Sequence, residues 1–461
     1  MKKYLLPIYH KLPPAIKNAA ASWYGSRRNS WRYNEHTDRL VAEAKERESW
    51  SHDRWQAYQQ ERLAYVLHRA RHHVPYYQKF WGERERKGDA SGWQQLENWP
   101  ILTKEEVRTH NTAFLAADCN PKKMYSEHTS GSTGKPLSVW WSREITQNYY
   151  ALFERRIRHW HDLHRDEDYL LLGGQLIVPG SQNKPPFWVR NKAMHQLYMS
   201  AYHLSPDNIA HYAKAIQNFH PGYMYGYAST MYNLARLIEE QRLEVPKLKA
   251  AISNAETYFD YQQETISRVF GCKPVNTYGM SELVAAGNTF DSQSMLLWPE
   301  VGIMEVLDYD KDQSVHKQEG RFICTSLINA DMPLIRYEVG DGGTVENCDG
   351  DDPIRYKKIT SIGGRIDDLI ITTDGRKIGR MDPIFKAGLA ISEAQIIQED
   401  YEDFRILVVP TEGFSAKDEK IIESNFMQRV GEGKLRIERV QEIPRTSMGK
   451  YRSVISKVNK D

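Results

Sequence analysis

Between Leu170 and Phe270 short apolar runs alternate with longer amphipathic stretches, and this alternation is the strongest constraint on how the chain can fold. Leu170-Leu171-Leu172 precedes a Gly-Gly turn, Tyr223-Met224-Tyr225-Gly226-Tyr227 precedes a helical period from Ser229 to Gln241, and Ala250-Ala251-Ile252-Ser253 precedes another from Asp260 to Phe270. Apolar runs this short suit buried strands, and the stretches between them have the 3.6-residue period of helices, so layered α/β structure is predicted. Upstream, Leu40, Val41, Ala44, Trp55, Tyr58, Leu63, Val66 and Leu67 recur among charged residues at helical spacing. Thr103 with Glu106 three positions later forms a capping-box pattern that opens a further short helix. From Val301 the character changes to strands and hairpins, at Gly302 to Leu307, Gly320 to Leu327 and Leu334 to Tyr337, which predicts a β-rich subdomain. Past Asp367, the runs Leu369 to Ile371 and Phe404 to Val409 with a helical Ala416 to Val430 predict a small α+β domain.

A chain of 461 residues is larger than one hydrophobic core usually supports, which agrees with several domains. The near balance of 62 Lys and Arg against 60 Asp and Glu gives no overall field for nucleic acid, so a polyanion must be held locally. Cys119, Cys272, Cys324 and Cys348 are far apart and form neither a CxxC pair nor a disulfide ladder, which fits a reducing cytoplasm. No run approaches the roughly 20 apolar residues that cross a bilayer. The first 34 residues carry seven Lys and Arg and no Asp or Glu, interspersed with Leu5, Leu6, Ile8, Ile16, Trp23 and Tyr24. Two readings fit: a helix packed on the main domain with a solvated basic face, or peripheral contact with an anionic membrane.

The chemistry is concentrated in a few segments. Thr129-Ser130-Gly131-Ser132-Thr133-Gly134-Lys135-Pro136 combines small residues, which let backbone N–H groups converge, with hydroxyls and a lysine, a combination suited to a polyphosphate. It is not a Walker A loop, because Thr129 and Pro136 stand where that motif needs Gly and Ser or Thr. Tyr278-Gly279-Met280-Ser281-Glu282, after an expected strand Pro274 to Thr277, sets a ring, a turn and a carboxylate side by side. Leu283 replaces the second glycine of a hydrolase elbow, so Ser281 is a poor nucleophile and Glu282 is better suited as an oxygen ligand for Mg²⁺. In Leu334 to Gly343 a strand is expected to end at Asp341 among glycines. A carboxylate there can accept two ribose hydroxyls, although Asp beside Gly is also ordinary turn chemistry. Asp308, Asp310, Asp312 and Glu319 have calcium-loop spacing, but Gln313 occupies the position that needs Gly, so a solvated hairpin tip is expected.

The order of these motifs resembles the adenylate-forming superfamily of acyl- and aryl-CoA ligases, in particular phenylacetate-CoA ligases and CapK-type proteins. The likeness runs from about Tyr125 to Ile455 and takes in Gly363-Gly364-Arg365-Ile366-Asp367-Asp368 and Ile443-Pro444-Arg445-Thr446-Ser447-Met448-Gly449-Lys450. It implies a large AMP-binding domain over residues 1–366, helical over residues 1–124, and a small mobile α+β domain over 367–461. It implies a ribose contact for Arg365, a hinge at Asp367 and a catalytic lysine at Lys450. Asn254-Ala255-Glu256 resembles the family's turn against adenine, with Tyr278 flanking the base. Leu283 to Gln293 lacks the Cys and His of some relatives, so no structural zinc is expected there.

The implied reaction uses ATP and Mg²⁺ to convert a carboxylate into acyl-AMP, then passes the acyl group to an acceptor, usually coenzyme A. A carrier-protein thiol, or a sugar amine or hydroxyl in polysaccharide synthesis, is the alternative acceptor. A non-catalytic binding protein that retains the fold is the rival of another class, against which stand Glu282, Asp341, Arg365 and Lys450. The acyl pocket is expected near Gly173 to Gln175, Tyr225 to Met231 and Ile252 to Ala255, where Tyr225 and Tyr227 hint at a planar substrate.

Overall fold

A computed structural model describes residues 9–128, 137–179, 181–290, 294–348, 352–365, 370–373, 377–378, 381–385, 389–431, 433–445 and 451–458. Two compact units are present: Met1–Met304 with Cys324–Tyr337 and Asn347–Lys358, and Glu305–Ile323 with Glu338–Glu346 and Ile359–Asp461.

The first unit begins with helices Pro14–Arg32, Glu35–Arg47, His52–His73 and Pro75–Arg86. Their boundaries follow local chemistry, since Asn34 caps Thr37 N at 3.1 Å, Ser51 caps Arg54 N at 3.3 Å, and Pro75 opens the fourth helix. Gln59 donates to the carbonyl oxygens of Pro299 and Gly302, and the Tyr77 hydroxyl donates to that of Pro333, which fastens these helices to the rest of the unit. The capping box appears as expected. Thr103 Oγ1 accepts from Glu106 N, and Glu106 Oε2 accepts from Thr103 N.

Strands β1 (Tyr125–His128) and β2 (Ser138–Trp141) pair antiparallel, with His128 opposite Ser138. The α/β core is a six-stranded sheet of β3 (Tyr169–Gly173), β4 (Trp188–Asn191), β5 (Gln196–Ser200), β6 (Tyr223–Gly226), β7 (Ala250–Ser253) and β8 (Lys273–Val275), in the order β4-β5-β3-β6-β7-β8. All neighbours are parallel except the edge strand β4. Helices Ile209–Phe219, Ala228–Glu240 and Asp260–Phe270 make the connections, and the last stops at Gly271, whose φ of +57° is a left-handed cap. Successive side chains enter opposite layers. Leu170, Leu172, Met224 and Ala251 pack with Met231, Leu234 and Ile266, whereas Tyr169, Tyr223, Ala250 and Ile252 pack with Leu152, Trp298 and Val301. Both faces are therefore buried, which is why these strands read as unbroken apolar runs.

The predicted strand Pro274 to Thr277 is broken at Asn276. Strand β8 ends at Val275, and β9 (Thr277–Gly279) instead joins β10 (Ala286–Thr289) and β11 (Met295–Leu297) in an antiparallel meander.

In the second unit β12 (Gly302–Leu307), β13 (Gly320–Ser326), β14 (Tyr337–Asn347) and β15 (Lys357–Arg365) are neighbours in that order. The turn after β12 is a hairpin tip, as expected, closed by Asp308 N to Gln313 O at 2.9 Å. The strand expected over Leu334 to Tyr337 begins only at Tyr337 and runs on through Asp341, because Arg336 has φ of +49° and breaks the extended path before it. After the short pair β16 (Ile370–Ile371) and β17 (Lys377–Ile378), β18 (Ile391–Asp400), β19 (Asp403–Pro410), β20 (Lys434–Arg439) and β21 (Val454–Ser456) form a sheet in the order β20-β19-β18-β21. Helix Ala416–Val430 covers it through Ile422, Phe426 and Val430, which pack on Ile396, Phe404, Ile406 and Val408.

Candidate active site

Parallel strands direct their loops to one sheet edge, so the residues that follow β3, β6, β7 and β8 are brought together there. Tyr227 N donates to Leu172 O at 2.9 Å, and Asn254 N donates to Gly226 O at 2.9 Å, which holds the ends of β3, β6 and β7 side by side. Gly226 is required for this closeness, since a Cβ at that position would lie 2.2 Å from Leu172 O. All three segments expected to line the acyl pocket lie at this edge. Tyr198 OH accepts from Gln175 N at 3.3 Å, and Tyr202 OH donates to Gly174 O at 2.8 Å, which ties down the loop after β3.

Asn254, Ala255 and Glu256, the candidate adenine turn, follow β7 directly. Ala255 has φ of +59°, a left-handed conformation that turns the chain sharply, and Glu256 Oε2 accepts from Ser229 N at 2.9 Å at the start of helix Ala228–Glu240. Asn254 bonds to the Tyr225 hydroxyl in a sense that lowers the phenol pKa, so the amide donates. Burial acts in the opposite direction and pushes Tyr225 up to about 12. The other end of the amide, Oδ1, is buried and has no hydrogen-bond partner among the described residues. A buried acceptor left in this state is costly, and a bound ligand or an ordered water would satisfy it.

Tyr278 is reached through the break after β8. Ser253 Oγ donates to Asn276 Oδ1 at 3.0 Å and Thr277 Oγ1 to Ser253 O at 2.5 Å, which anchors the start of β9 against the end of β7. The Asn254 and Tyr278 segments are thus adjacent. Gly279 has Tyr149 OH 3.8 Å from the position a Cβ would take, and Tyr149 belongs to an aromatic floor with Trp141 and Trp298 at centroid distances of 5.8 and 6.0 Å.

From Met280 to Glu282 the chain forms a tight turn, closed by Leu283 N to Met280 O at 3.1 Å with Leu283 at φ of +52°. The indole of Trp141, on β2, donates to Ser281 O at 3.0 Å. Glu282 is 5% exposed, and its Oε1 accepts from Tyr337 OH at 3.1 Å and Lys104 Nζ at 3.3 Å. Both partners were missed in the sequence. They come from 178 and 55 residues away and carry no local signal.

In the second unit Asp341 is half-buried within β14, one residue after Gly340 at φ of +80°, and Arg365 closes β15. Thr129, Ser130, Gly131, Ser132, Thr133, Gly134 and Lys135, with the hinge candidate Asp367 and the catalytic candidate Lys450, lie outside the described residues.

Residues 370–457 match the CapK C-terminal domain family. Protein CapK of Staphylococcus aureus is 26% identical over 394 residues, covering 82% of this chain and 85% of that protein. Phenylacetate-coenzyme A ligase of Pseudomonas putida is 24% identical over 70% of this chain and 73% of its own length. Among solved structures, 2-hydroxyisobutyryl-CoA ligase in its postadenylation state with R3-HIB-AMP superposes with a TM-score of 0.66 at 19% identity, covering 87% of this chain and 89% of that one, a likeness of fold. The fold and these relatives define an adenylate-forming ligase. Within that superfamily the chain is similar to CapK and to the phenylacetate-CoA ligases.

Proposed function

We propose that the protein activates a carboxylic acid with ATP and transfers the acyl group to the thiol of coenzyme A. A carboxylate oxygen attacks the α-phosphorus, the bond to the bridging oxygen breaks and pyrophosphate leaves. The thiol sulfur then forms a bond to the acyl carbon, the C–O bond to AMP breaks and the thiol proton goes to solvent.

The observation that carries this reading is the unpaired Asn254 Oδ1 at the carboxyl edge of the sheet, adjacent to the Tyr278 segment. An acceptor at that point suits the amino group of adenine and opposes the carbonyl that guanine has in the same place. Glu282 fits a hard cation, since both of its contacts among the described residues fall on Oε1 and Oε2 remains for a ligand bond. Mg²⁺ held there would offset charge on the phosphates. Lys104 and Tyr337 hold the carboxylate in its orientation. The segment from Thr129 to Lys135 supplies the remaining phosphate donors, Asp341 and Arg365 hold the ribose, and Lys450 stabilises charge that grows on the phosphoryl oxygens. Relatives whose names include coenzyme A ligase support the thiol as acceptor.

The test is carboxylate-dependent exchange of labelled pyrophosphate into ATP over a panel of aryl, fatty and amino acids, followed by product analysis with coenzyme A. Exchange with no acid in the panel would count against acyl-adenylate formation. Exchange without a coenzyme A thioester would move the acceptor elsewhere.

A further inference from the structure

Helix Pro14–Arg32 is packed the reverse way from an ordinary surface helix. Its inward side uses small and polar groups: Asn18 Oδ1 accepts from Arg190 N at 2.9 Å, Ser22 Oγ accepts from Lys192 N at 3.0 Å, and Gly25 lies so close to Asn191 that a Cβ there would be 2.3 Å from its Oδ1. The outward side carries Ile16, Ala19, Trp23 and Arg27, at a spacing of three or four residues that places them on one stripe. Trp23 is 63% exposed, the most of any large apolar side chain among the described residues, and Ile16 is 50% exposed. Leu176, also exposed, flanks the start of this face, because its carbonyl accepts from His10 Nε2 at 3.0 Å.

The charge along this segment has one sign. Residues 9–34 contain Lys11, Lys17, Arg27, Arg28 and Arg32 and no Asp or Glu. Arg28 is stacked on Tyr125 and Arg32 on Tyr150, and Lys17 is buried, which leaves Lys11 and Arg27 on the exposed side. Lys192 and Arg190 are exposed beside the helix. The nearby acid Asp168 is engaged by His195 at 3.2 Å and Arg190 at 3.8 Å.

We propose that this outward face docks the protein on an anionic lipid surface, with Trp23 and Ile16 entering the headgroup boundary and Lys11, Arg27 and Lys192 facing the phosphates. A short apolar stripe with an interfacial tryptophan and a basic rim is the pattern that lies in the plane of a bilayer. The inward contacts agree with it, because they hold the helix through polar groups and leave its large apolar side chains for another phase. No helix among the described residues is long and apolar enough to cross the membrane, so contact of this kind is peripheral and reversible.

The test is flotation of the full chain with vesicles of phosphatidylcholine alone and with phosphatidylglycerol added, at low and high salt. Binding is expected to the anionic vesicles only, to weaken with salt, and to be accompanied by a blue shift of tryptophan emission. Ile16→Ser with Trp23→Ser is expected to lower the partition coefficient by roughly tenfold or more, and Lys11→Glu with Arg27→Glu to abolish the preference for anionic lipid. Neither pair touches the active site, so pyrophosphate exchange without lipid is expected to match the unmodified protein and serves as the folding control. Equal binding to both vesicle types, no binding to either, or binding unaltered by both variants would overturn the proposal. So would sedimentation showing self-association that the Ile16 and Trp23 changes abolish, since the face would then belong to a second copy of the chain.

Discussion

Replacing Asn254 with Ala separates a structural from a functional role for that side chain, because the two roles predict different balances. In the folded protein the amide makes one hydrogen bond, to Tyr225, and leaves Oδ1 buried without a partner among the described residues. Deleting it loses a bond worth about 1 kcal/mol net and removes an unsatisfied acceptor that costs about 1–3 kcal/mol, while the Tyr225 hydroxyl is left with one partner fewer. The gain at least offsets the loss, so the variant is expected to be no more than about 1 kcal/mol less stable than the unmodified protein. If Oδ1 receives the adenine amino group, the loss on nucleotide binding is one neutral hydrogen bond of about 0.5–1.5 kcal/mol, a rise in the ATP dissociation constant of roughly 2- to 13-fold. Discrimination between ATP and GTP falls as well, since the acceptor that opposes the guanine carbonyl has gone. Calorimetric titration with ATP and GTP, beside urea unfolding, measures each quantity. A variant destabilised by 3 kcal/mol or more that binds both nucleotides as before would refute the reasoning and make Asn254 a packing residue.

The remaining predictions concern charge and access. Glu282→Ala is expected to reduce turnover far more than ATP binding, whereas Lys104→Met, which removes a partly exposed partner of that carboxylate, is expected to lower the Mg²⁺ concentration for half-maximal rate by roughly 2- to 5-fold. A higher Mg²⁺ requirement would show that Lys104 contacts nucleotide instead. Asp341→Ala is expected to weaken nucleotide use by charged hydrogen bonds worth about 1.5–3 kcal/mol each, and unchanged ATP affinity and turnover would remove it from the site. Lys450→Ala is expected to slow acyl-AMP formation by roughly a hundred- to thousandfold while sparing transfer from supplied acyl-AMP. Asp367→Pro, which fixes φ at the proposed hinge, is expected to do the reverse, and equal loss of both steps in both variants would exclude alternation between two arrangements. Burial pushes the thiols of Cys119, Cys272 and Cys348 up to about 12, so at pH 8 they stay protonated and are expected to react slowly with Ellman's reagent until urea is added; rapid native labelling would contradict this.

The elements legible in the sequence were those in which one local rule decides. Helix Asp260–Phe270 ends at its glycine, helix Ala416–Val430 spans its periodic residues, and Thr103 with Glu106 forms the expected capping box. Strands β3, β6 and β7 were visible because both of their faces are buried. Two boundaries were misread where the backbone turns without glycine or proline, at Asn276 between β8 and β9 and at Arg336 before β14. Asp341 therefore lies inside a strand, not at its end. In the candidate site, Glu282, Tyr278 and Asn254 are the residues that motif order singles out. Lys104, Tyr337 and the unpaired oxygen of Asn254 were not, because each depends on contacts that only tertiary packing creates.

The ion pair between Arg156 and Glu300 has a consequence for how the chain is made. Arg156 is fully buried in a π-helical turn, Glu154–Arg158, and meets Glu300 through two bonds of 2.8 and 2.7 Å. Its partner is 144 residues downstream. At about 5–20 residues per second of synthesis, Arg156 waits roughly 7–29 s before Glu300 has been added. During that interval burial of the guanidinium lacks its compensating charge, so the helix Arg143–Phe153 and the turn after it cannot settle against the sheet. The apolar surface of β6 and β7 that this layer covers, Tyr223, Ala250 and Ile252, then remains open on the nascent chain. The layer that covers this face therefore closes only once the segment around Glu300, with Trp298 and Val301, has been added.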